Sequence, residues 1–222
     1  MINTGLLLLC FFFAVQGETF ANGQKQTPPN LQSVVENMQS HFNQVKALES
    51  KFRQETFSGA VKLKTIAEGN LYIQKPNRMR WDYIKPEKQS FVTDGIKAWL
   101  YMPSEKRIVM DNAKSFFQSA LVRSFFNGPK DFSKYFSIHL GETKKYKGFV
   151  LVLTPKAPDM EVTQITLWVR IEDFQVETIE TQDLLGNTNK VILTNICYQE
   201  SLPEDLFILT IPVGVTLEQN LN

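Results

Sequence analysis

The stretch GNLYIQKPNRMRWDYIKPEKQSFVTDG, residues 69–95, decides the fold class because it reads as three strands separated by turns. Lys75-Pro76-Asn77, Lys85-Pro86 and Asp94-Gly95 are turn-forming groups that separate runs of β-branched and aromatic residues. The large side chains of this stretch are Tyr72, Met79, Trp81, Tyr83 and Phe91. No obvious nucleophile or set of metal ligands accompanies them, so the stretch indicates a packing or binding surface.

A two-residue period continues through most of the chain. It predicts strands at 47–57, 65–74, 78–84, 89–93, 97–102, 106–110, 136–141, 149–154, 162–171, 174–183, 189–198 and about 206–211. Sequential strands joined by short turns favour an antiparallel meander over βαβ units. No linker or internal repeat interrupts the chain, so we expect one mainly β (α+β) domain over residues 22–222.

Two segments have helical periodicity instead. Residues 31–46 place six apolar side chains at spacings of three and four, behind Asn30 as a cap. Residues 114–126 form a second amphipathic segment, and 131–136 a short helical turn. Both longer segments must bury their apolar faces against the sheet, as a plug or a lid. The predicted lid residues are Phe117, Leu121 and Phe125.

The sheet must curl, and its apolar face is expected to point inward. In VTQITLWVRIE, residues 162–172, the inward set is Thr163, Ile165, Leu167, Val169 and Ile171. Trp168 belongs to the opposite, outward set. The predicted wall of an apolar cavity is Leu71, Ile73, Met79, Trp81, Phe91, Ile165, Leu167 and Val169. The pattern alone allows two interpretations, a hollow barrel or side chains that simply fill a core.

The N-terminus has the features of an export signal. LLLLCFFFAV, residues 6–15, is too short to span a bilayer but suits the apolar region of a signal peptide. We predict a cleaved signal peptide over residues 1–21, with cleavage after Gly17 as an alternative and a buried N-terminal helix as a second. Cys10 follows the large Leu9, which disfavours lipid attachment at that position. Cleavage would leave Cys197 as the mature chain's cysteine, so no internal disulfide is expected.

Composition and motifs disfavour several classes of function. Lys plus Arg is 24 against 23 for Asp plus Glu, which gives no general electrostatic reason to expect nucleic-acid binding. The two histidines have no partners at metal-ligand spacing, so neither a metal site nor a cofactor is expected. No phosphate-binding loop or nucleophile elbow is present, and we predict that the protein is not an enzyme. A carboxylate pair hidden inside the barrel remains as an alternative.

Five segments together resemble the LolA family, the periplasmic carriers of outer-membrane lipoproteins in Gram-negative bacteria. They are KFRQE (51–55), GNLYIQKPNRMRWDY (69–83), VTDGIKAWLY (92–101), FVLVLTPK (149–156) and LFILTIPVGV (206–215). The order and spacing of these segments are those of the family. The resemblance covers nearly the whole chain after the proposed signal peptide.

The resemblance implies an unclosed antiparallel β-barrel whose helices form a lid over an apolar cavity for acyl chains. It further implies acylated lipoproteins as cargo, an inner-membrane ABC transporter as their source and a LolB-type outer-membrane receptor as their destination. A periplasmic monomer without a lipid anchor fits the carrier better than the receptor. The alternative is a periplasmic regulatory domain of the same fold that senses a lipid or a peptide.

One position departs from the family pattern. A known member of the family has an arginine immediately before the Pro-Asn turn, which is described as holding the lid closed, and this chain has Lys75 at that position. Lysine has three donors on a flexible stem and lacks the planar fork of arginine. We therefore treat Lys75 as the candidate latch, with Arg78 and Arg80 close enough in sequence to share the role.

Overall fold

Twelve strands form one sheet in the part of the chain that the computed structural model describes, residues 30–114, 132–143, 145–157 and 162–219. The proposed signal peptide and the predicted lid residues Phe117, Leu121 and Phe125 lie outside these ranges. Those two predictions therefore stay untested. No helix within the described ranges is both long enough and apolar enough to cross a membrane.

The strands follow one another along the chain with short connections. Their bounds are β1 Ala47–Ser58, β2 Leu63–Gln74, β3 Arg78–Lys85, β4 Gln89–Thr93, β5 Lys97–Met102, β6 Arg107–Asn112, β7 Phe136–Leu140, β8 Gly148–Pro155, β9 Gln164–Arg170, β10 Val176–Gln182, β11 Thr188–Gln199 and β12 Thr216–Gln219. Their order across the sheet is β12-β6-β5-β4-β3-β2-β1-β11-β10-β9-β8-β7. The first and last strands of this order do not pair in the described residues, so the sheet is unclosed.

The predicted antiparallel meander is confirmed. Neighbouring strands are antiparallel from β6 through to β7, and β12 alone runs parallel to its neighbour β6. Long-range pairing of β1 with β11 joins the two halves of the meander, with Phe52 opposite Leu193. This pairing brings the residues around Trp81 and those around Leu167 into one sheet.

Two α-helices have both ends within the described residues. The first, α1, spans Leu31–Gln44, and the side chain of Asn30 caps it by accepting a hydrogen bond from the backbone N–H of Ser33. Its apolar face packs on the sheet through Val34 and Met38, which confirms that this helix lies on the sheet. The second, α2, is the short turn Phe132–Tyr135 just before β7.

Two sequence predictions were wrong in detail. Residues 206–211 do not form a strand, because Glu204–Phe207 is a 3-10 turn and the last strand is β12. Ile171 does not point inward but is 53% exposed. The reason is that β9 ends at Arg170, whose side chain bonds Asp173 in the following turn.

The C-terminal segment covers the outer face of the sheet. Phe207 and Leu202 pack with Ala47 of β1, and Leu217 of β12 packs against a cluster built on Val92 and Trp99. Successive side chains of a strand point to opposite faces of the sheet. Leu71 and Phe91 alternate with the outer-face residues of their strands, so they face the inner side. Among the described residues, the 3-10 turn and the segment that leads to β12 lie on one face of the sheet, and α1 lies on the other.

Candidate functional site

The register of the strands places all eight predicted wall residues on the inner face. Ile179 of β10 lies opposite both Leu167 and Val191. Directly opposite residues share a face of an antiparallel pair, so the inner face continues from β9 through β10 and β11. The inner face continues into β1 through Phe52, and into β2 through Gly69, which lies opposite Phe52. Gly69 is two residues from Leu71 in the same strand, so both residues lie on this face.

These residues nevertheless fall into two clusters. Three of the wall residues, Ile165, Leu167 and Val169, are at most 1% exposed. They pack with α1 in what we call the α1 cluster, made of Val34, Met38, Phe136, Leu151, Leu153, Ile165, Leu167 and Val169. This half of the inner face is already occupied by the helix, as the filled-core interpretation expects.

The other five wall residues belong to a separate group, the Trp81 cluster. Its buried members are Phe52, Leu71, Met79 and Val191, and Ile73, Trp81, Tyr83, Phe91 and Leu193 pack against them. Leu71 and Met79 are nearly fully buried, whereas Ile73, Trp81 and Phe91 are half-buried. The accessible apolar surface of the predicted wall therefore belongs to this cluster.

Phe52 is the centre of the Trp81 cluster and was not among the predicted site residues. Its ring meets the rings of Trp81 and Tyr83 edge to face, with both centroid distances 5.0 Å. The ring lies over Gly69, where an added Cβ would be 2.7 Å from Phe52 Cε1 and 1.9 Å from the Asp82 carbonyl oxygen. The glycine in the middle of β2 was the available signal, since such glycines mark close approach.

Tyr83 brings a hydroxyl group into the Trp81 cluster, and this hydroxyl has a hydrogen-bond partner. Its hydroxyl donates to Gln54 Oε1 at 2.7 Å, and burial raises the pKa of the phenol. The hydroxyl therefore stays protonated on the inner face at neutral pH. A buried tyrosine with a partner for its hydroxyl is the usual arrangement.

Lys75 ties the β2–β3 turn to the last turn of α1. Its ammonium donates to the carbonyl oxygen of Phe42 and lies 3.6 Å from the centroid of that residue's ring. Burial lowers the pKa of this lysine. A cation near the C-terminal end of a helix also meets the negative end of the helix dipole. Lys75 thus joins the β2–β3 turn to the C-terminal end of α1.

Arg78 and Arg80 point away from α1. Arg80 bonds Asp82 at 2.7 Å and the carbonyl oxygen of Leu206 at 3.1 Å. Arg78 reaches Glu204 at 3.4 Å. Both arginines hold the 3-10 turn on the outer face, and of the three candidate latch residues Lys75 is the one that contacts the helix.

A second contact holds the same end of α1. His41 Nε2 lies 2.9 Å from Gln175 Oε1 and 3.2 Å from the hydroxyl of Tyr198. Burial, and after it the charge of Asp173, raises the pKa of Tyr198 to about 12. This polar group borders a recess of about 310 Å³ between the end of α1 and β11.

Another recess of about 450 Å³ lies at the opposite end of the sheet, between the β1–β2 and β10–β11 turns. Its lining includes Phe57, Leu63 and Asn187. None of the eight predicted wall residues lines either of these two recesses. Neither recess therefore corresponds to the predicted apolar cavity.

Comparison with known proteins agrees with this architecture. The sequence profile described as "Outer membrane lipoprotein carrier protein LolA" matches residues 43–210. The chain belongs to the LolA family. The match begins just before β1 and ends after the 3-10 turn, so it includes both clusters of the LolA inner face except for α1.

Individual relatives are distant in sequence, but their alignments cover most of both chains. An outer-membrane lipoprotein carrier protein of Cupriavidus pinatubonensis is 25% identical over 190 residues, 84% of this chain and 88% of its own. The protein of that name from Methylococcus capsulatus is 24% identical over 212 residues, 95% of this chain and 93% of its own. An uncharacterized conserved protein from Thermus thermophilus shares the fold, with a TM-score of 0.55, 12% identity and coverage of 85% of this chain and 98% of its own.

Proposed function

We propose that this LolA-family chain carries acylated lipoproteins through the periplasm by burying their acyl chains against the inner face. The observation that carries the proposal is the half-buried apolar surface of Ile73, Trp81 and Phe91, which sits beside a helix whose C-terminal end is held by a lysine contact. Each CH₂ of an acyl chain removed from water contributes about 0.8 kcal/mol. A surface of this kind therefore supplies affinity without any chemical step.

The two clusters suggest different roles in carriage. The Trp81 cluster offers accessible apolar surface, whereas the α1 cluster offers more only if α1 moves away from Leu167 and its neighbours. Release of the Lys75 contact would favour that movement because it frees the C-terminal end of the helix. We therefore propose that Lys75 acts as the latch between closed and open carriers.

The source and destination of the cargo belong to the same proposal. The relatives are named outer-membrane lipoprotein carrier proteins, and the N-terminal apolar run of this chain suits export. An inner-membrane ABC transporter is the proposed donor and a LolB-type receptor the proposed acceptor. No catalytic group, metal or cofactor is required, and the described residues hold no cluster of three or more His, Cys, Asp or Glu suited to a metal ion.

Mass spectrometry of material that copurifies with the protein from the periplasm tests the proposal. We expect acylated lipoproteins, and an apolar dye bound to the purified protein should be displaced by a synthetic lipopeptide. A protein that brings down a membrane signalling protein, and whose dye is not displaced by lipopeptide, would instead be a regulatory domain. The N-terminus of the purified chain should begin near Asn22 or Glu18.

A further inference from the structure

Two buried polar atoms on the inner face have no hydrogen-bond partner. They are the indole nitrogen of Trp81 and the hydroxyl oxygen of Ser50, each with almost no exposed surface. Ser50 as a whole is 2% exposed. Buried polar groups are normally paired, so an unpaired donor within an apolar cluster needs a reason.

The two atoms belong to one part of the sheet. Ser50 lies opposite Leu71, and Leu71 lies opposite Trp81, so the three residues form a row across β1, β2 and β3. Ser50 also sits where the register between β1 and β11 shifts. Such irregularities commonly redirect a side chain. The row therefore places two polar groups around an apolar centre on the inner face.

The neighbouring Tyr83 is a hydrogen-bond donor of the same cluster that does have an acceptor. Tyr83 lies two residues from Trp81 in β3, on the same face, and its hydroxyl reaches Gln54. Trp81 has no equivalent acceptor among the described residues. An indole N–H can only donate, so the missing partner must be an acceptor, and an apolar ligand with a carbonyl oxygen would provide it.

We propose that Trp81 Nε1 and Ser50 Oγ, which are covered in this structure, become accessible when the carrier opens and form a polar subsite that binds the ester carbonyl of an acyl chain in the cargo. The inference rests on the proposed function and adds to it a means of recognition. The apolar cluster holds any hydrocarbon chain, while the subsite favours chains that are attached through a carbonyl. It also fixes how deep the chain enters, because the carbonyl stands at the polar end of the chain.

The test compares two short-chain lipopeptides that differ only in linkage. One carries a dioctanoyl-glyceryl cysteine with ester bonds, and the other carries the dioctyl ether analogue without the carbonyl oxygens. Isothermal titration of the mature protein should show about three- to tenfold tighter binding of the ester, the range expected for one neutral hydrogen bond. Trp81→Phe keeps an aromatic ring but removes the donor, so the ratio of ester affinity to ether affinity should fall to about one, whatever the variant does to binding of both ligands together. Ser50→Ala should reduce the preference.

Trp99→Phe is the matched control. Trp99 is a buried tryptophan of the outer-face cluster, and its loss should leave the ester-to-ether ratio unchanged. Equal binding of ester and ether by the unchanged protein would overturn the subsite while the carrier role stands. A preference that survives in Trp81→Phe would overturn it as well. If neither lipopeptide binds, the proposed function fails and the subsite fails with it.

Discussion

Lys75 and Phe42 meet through two contacts at once, a hydrogen bond from the ammonium to the carbonyl oxygen and a cation–π contact with the ring at 3.6 Å. The first residue belongs to the turn after β2 and the second to the last turn of α1. Lysine replaces the planar fork of arginine with a point charge, and here the flexible stem still reaches the helix end. The relationship makes one side chain a link between sheet and helix.

Removal of this link should lower stability. We expect Lys75→Leu to reduce the free energy of unfolding by about 1–2 kcal/mol, because it loses a charged hydrogen bond and the ring contact. Urea unfolding followed by circular dichroism measures the change. Lys46→Leu is the control, since its ion pair with Glu200 is exposed and should contribute little. Equal losses in the two variants would contradict the role of Lys75.

The same substitution should alter transfer of cargo. If closed and open carriers differ by a few hydrogen bonds, loss of one shifts their ratio several-fold. We expect Lys75→Leu to accept lipoprotein but to pass it on more slowly, because the closed state no longer competes with acyl chains. Lys75→Arg should preserve transfer. The measurement is the rate of lipoprotein transfer from the loaded carrier to a LolB-type receptor, with the rate of loading measured in parallel. Unchanged transfer in Lys75→Leu would mean that the latch lies elsewhere.

The close approach at Gly69 predicts a strong effect of a single methyl group. Gly69→Ala places Cβ against the backbone oxygen of Asp82 and the ring of Phe52, so we expect a loss of about 2–3 kcal/mol. Gly141→Ala is the comparison, because the nearest atoms there are side-chain methyls of Val150 and Val152 at 3.0 Å. Chemical denaturation of both variants should rank Gly69→Ala as the more destabilised, and the reverse order would be inconsistent with the packing described.

The two clusters should respond differently to a polar side chain. Leu167→Ser should destabilise the protein by about 4 kcal/mol, since the site is fully buried under α1. Ile73→Ser, at a half-buried site, should cost about 1–2 kcal/mol and weaken binding of an apolar dye in a chain that folds. Thermal unfolding and dye titration separate the two effects. Full dye binding by folded Ile73→Ser would remove the Trp81 cluster from the binding surface.

The β10–β11 turn should contribute a stability that depends on pH. The Asp183 carboxylate accepts from the Asn187 side chain and from backbone N–H groups, and these bonds lower its pKa below 3.8. Its contribution is therefore present above pH 3.8 and is lost as the pH falls through the lower folded pKa.

Asp183→Ala should accordingly be less stable than the parent at pH 7, and the difference should shrink below about pH 3.8. Urea midpoints at about pH 7, 4 and 2.5 measure it. Glu87→Ala, which removes an exposed carboxylate, controls for the change in net charge. A difference that stays constant with pH would show that the carboxylate does not stabilise the turn.

Sequence periodicity predicted the strands that pair with their neighbours along the chain. The segments at 78–84 and 89–93 were placed almost to the residue, because alternation and turn residues are both local signals. The strand β12 was missed because four residues without alternation, paired in parallel with β6, leave no local pattern. The end of the 3-10 turn, residues 206–207, was mistaken for the start of a strand because its apolar residues pack on the outer face.

The sequence predicted on which face of the sheet the candidate site residues lie, but it did not predict how deeply each of them is buried. Alternation placed Leu71, Trp81 and Leu167 on one face, as the strand register also does, and their role as a cavity wall stays a prediction. Their separation into an occupied and an accessible cluster depends on where α1 crosses the sheet, and that is fixed by contacts such as Phe42 with Lys75. Phe52 joins the site through pairing of β1 with both β2 and β11, which periodicity does not reveal.

The strand order has a consequence for how the chain assembles. Strands β1 to β6 pair in sequence and can form as soon as residues 47–112 are available. Both outer edges of that half are later covered by distant strands, β1 by β11 and β6 by β12. Uncovered edges invite pairing with other chains, and distant pairings form slowly. A chain that lacks residues beyond 187 therefore exposes two such edges, so self-association should be a property of the incomplete chain.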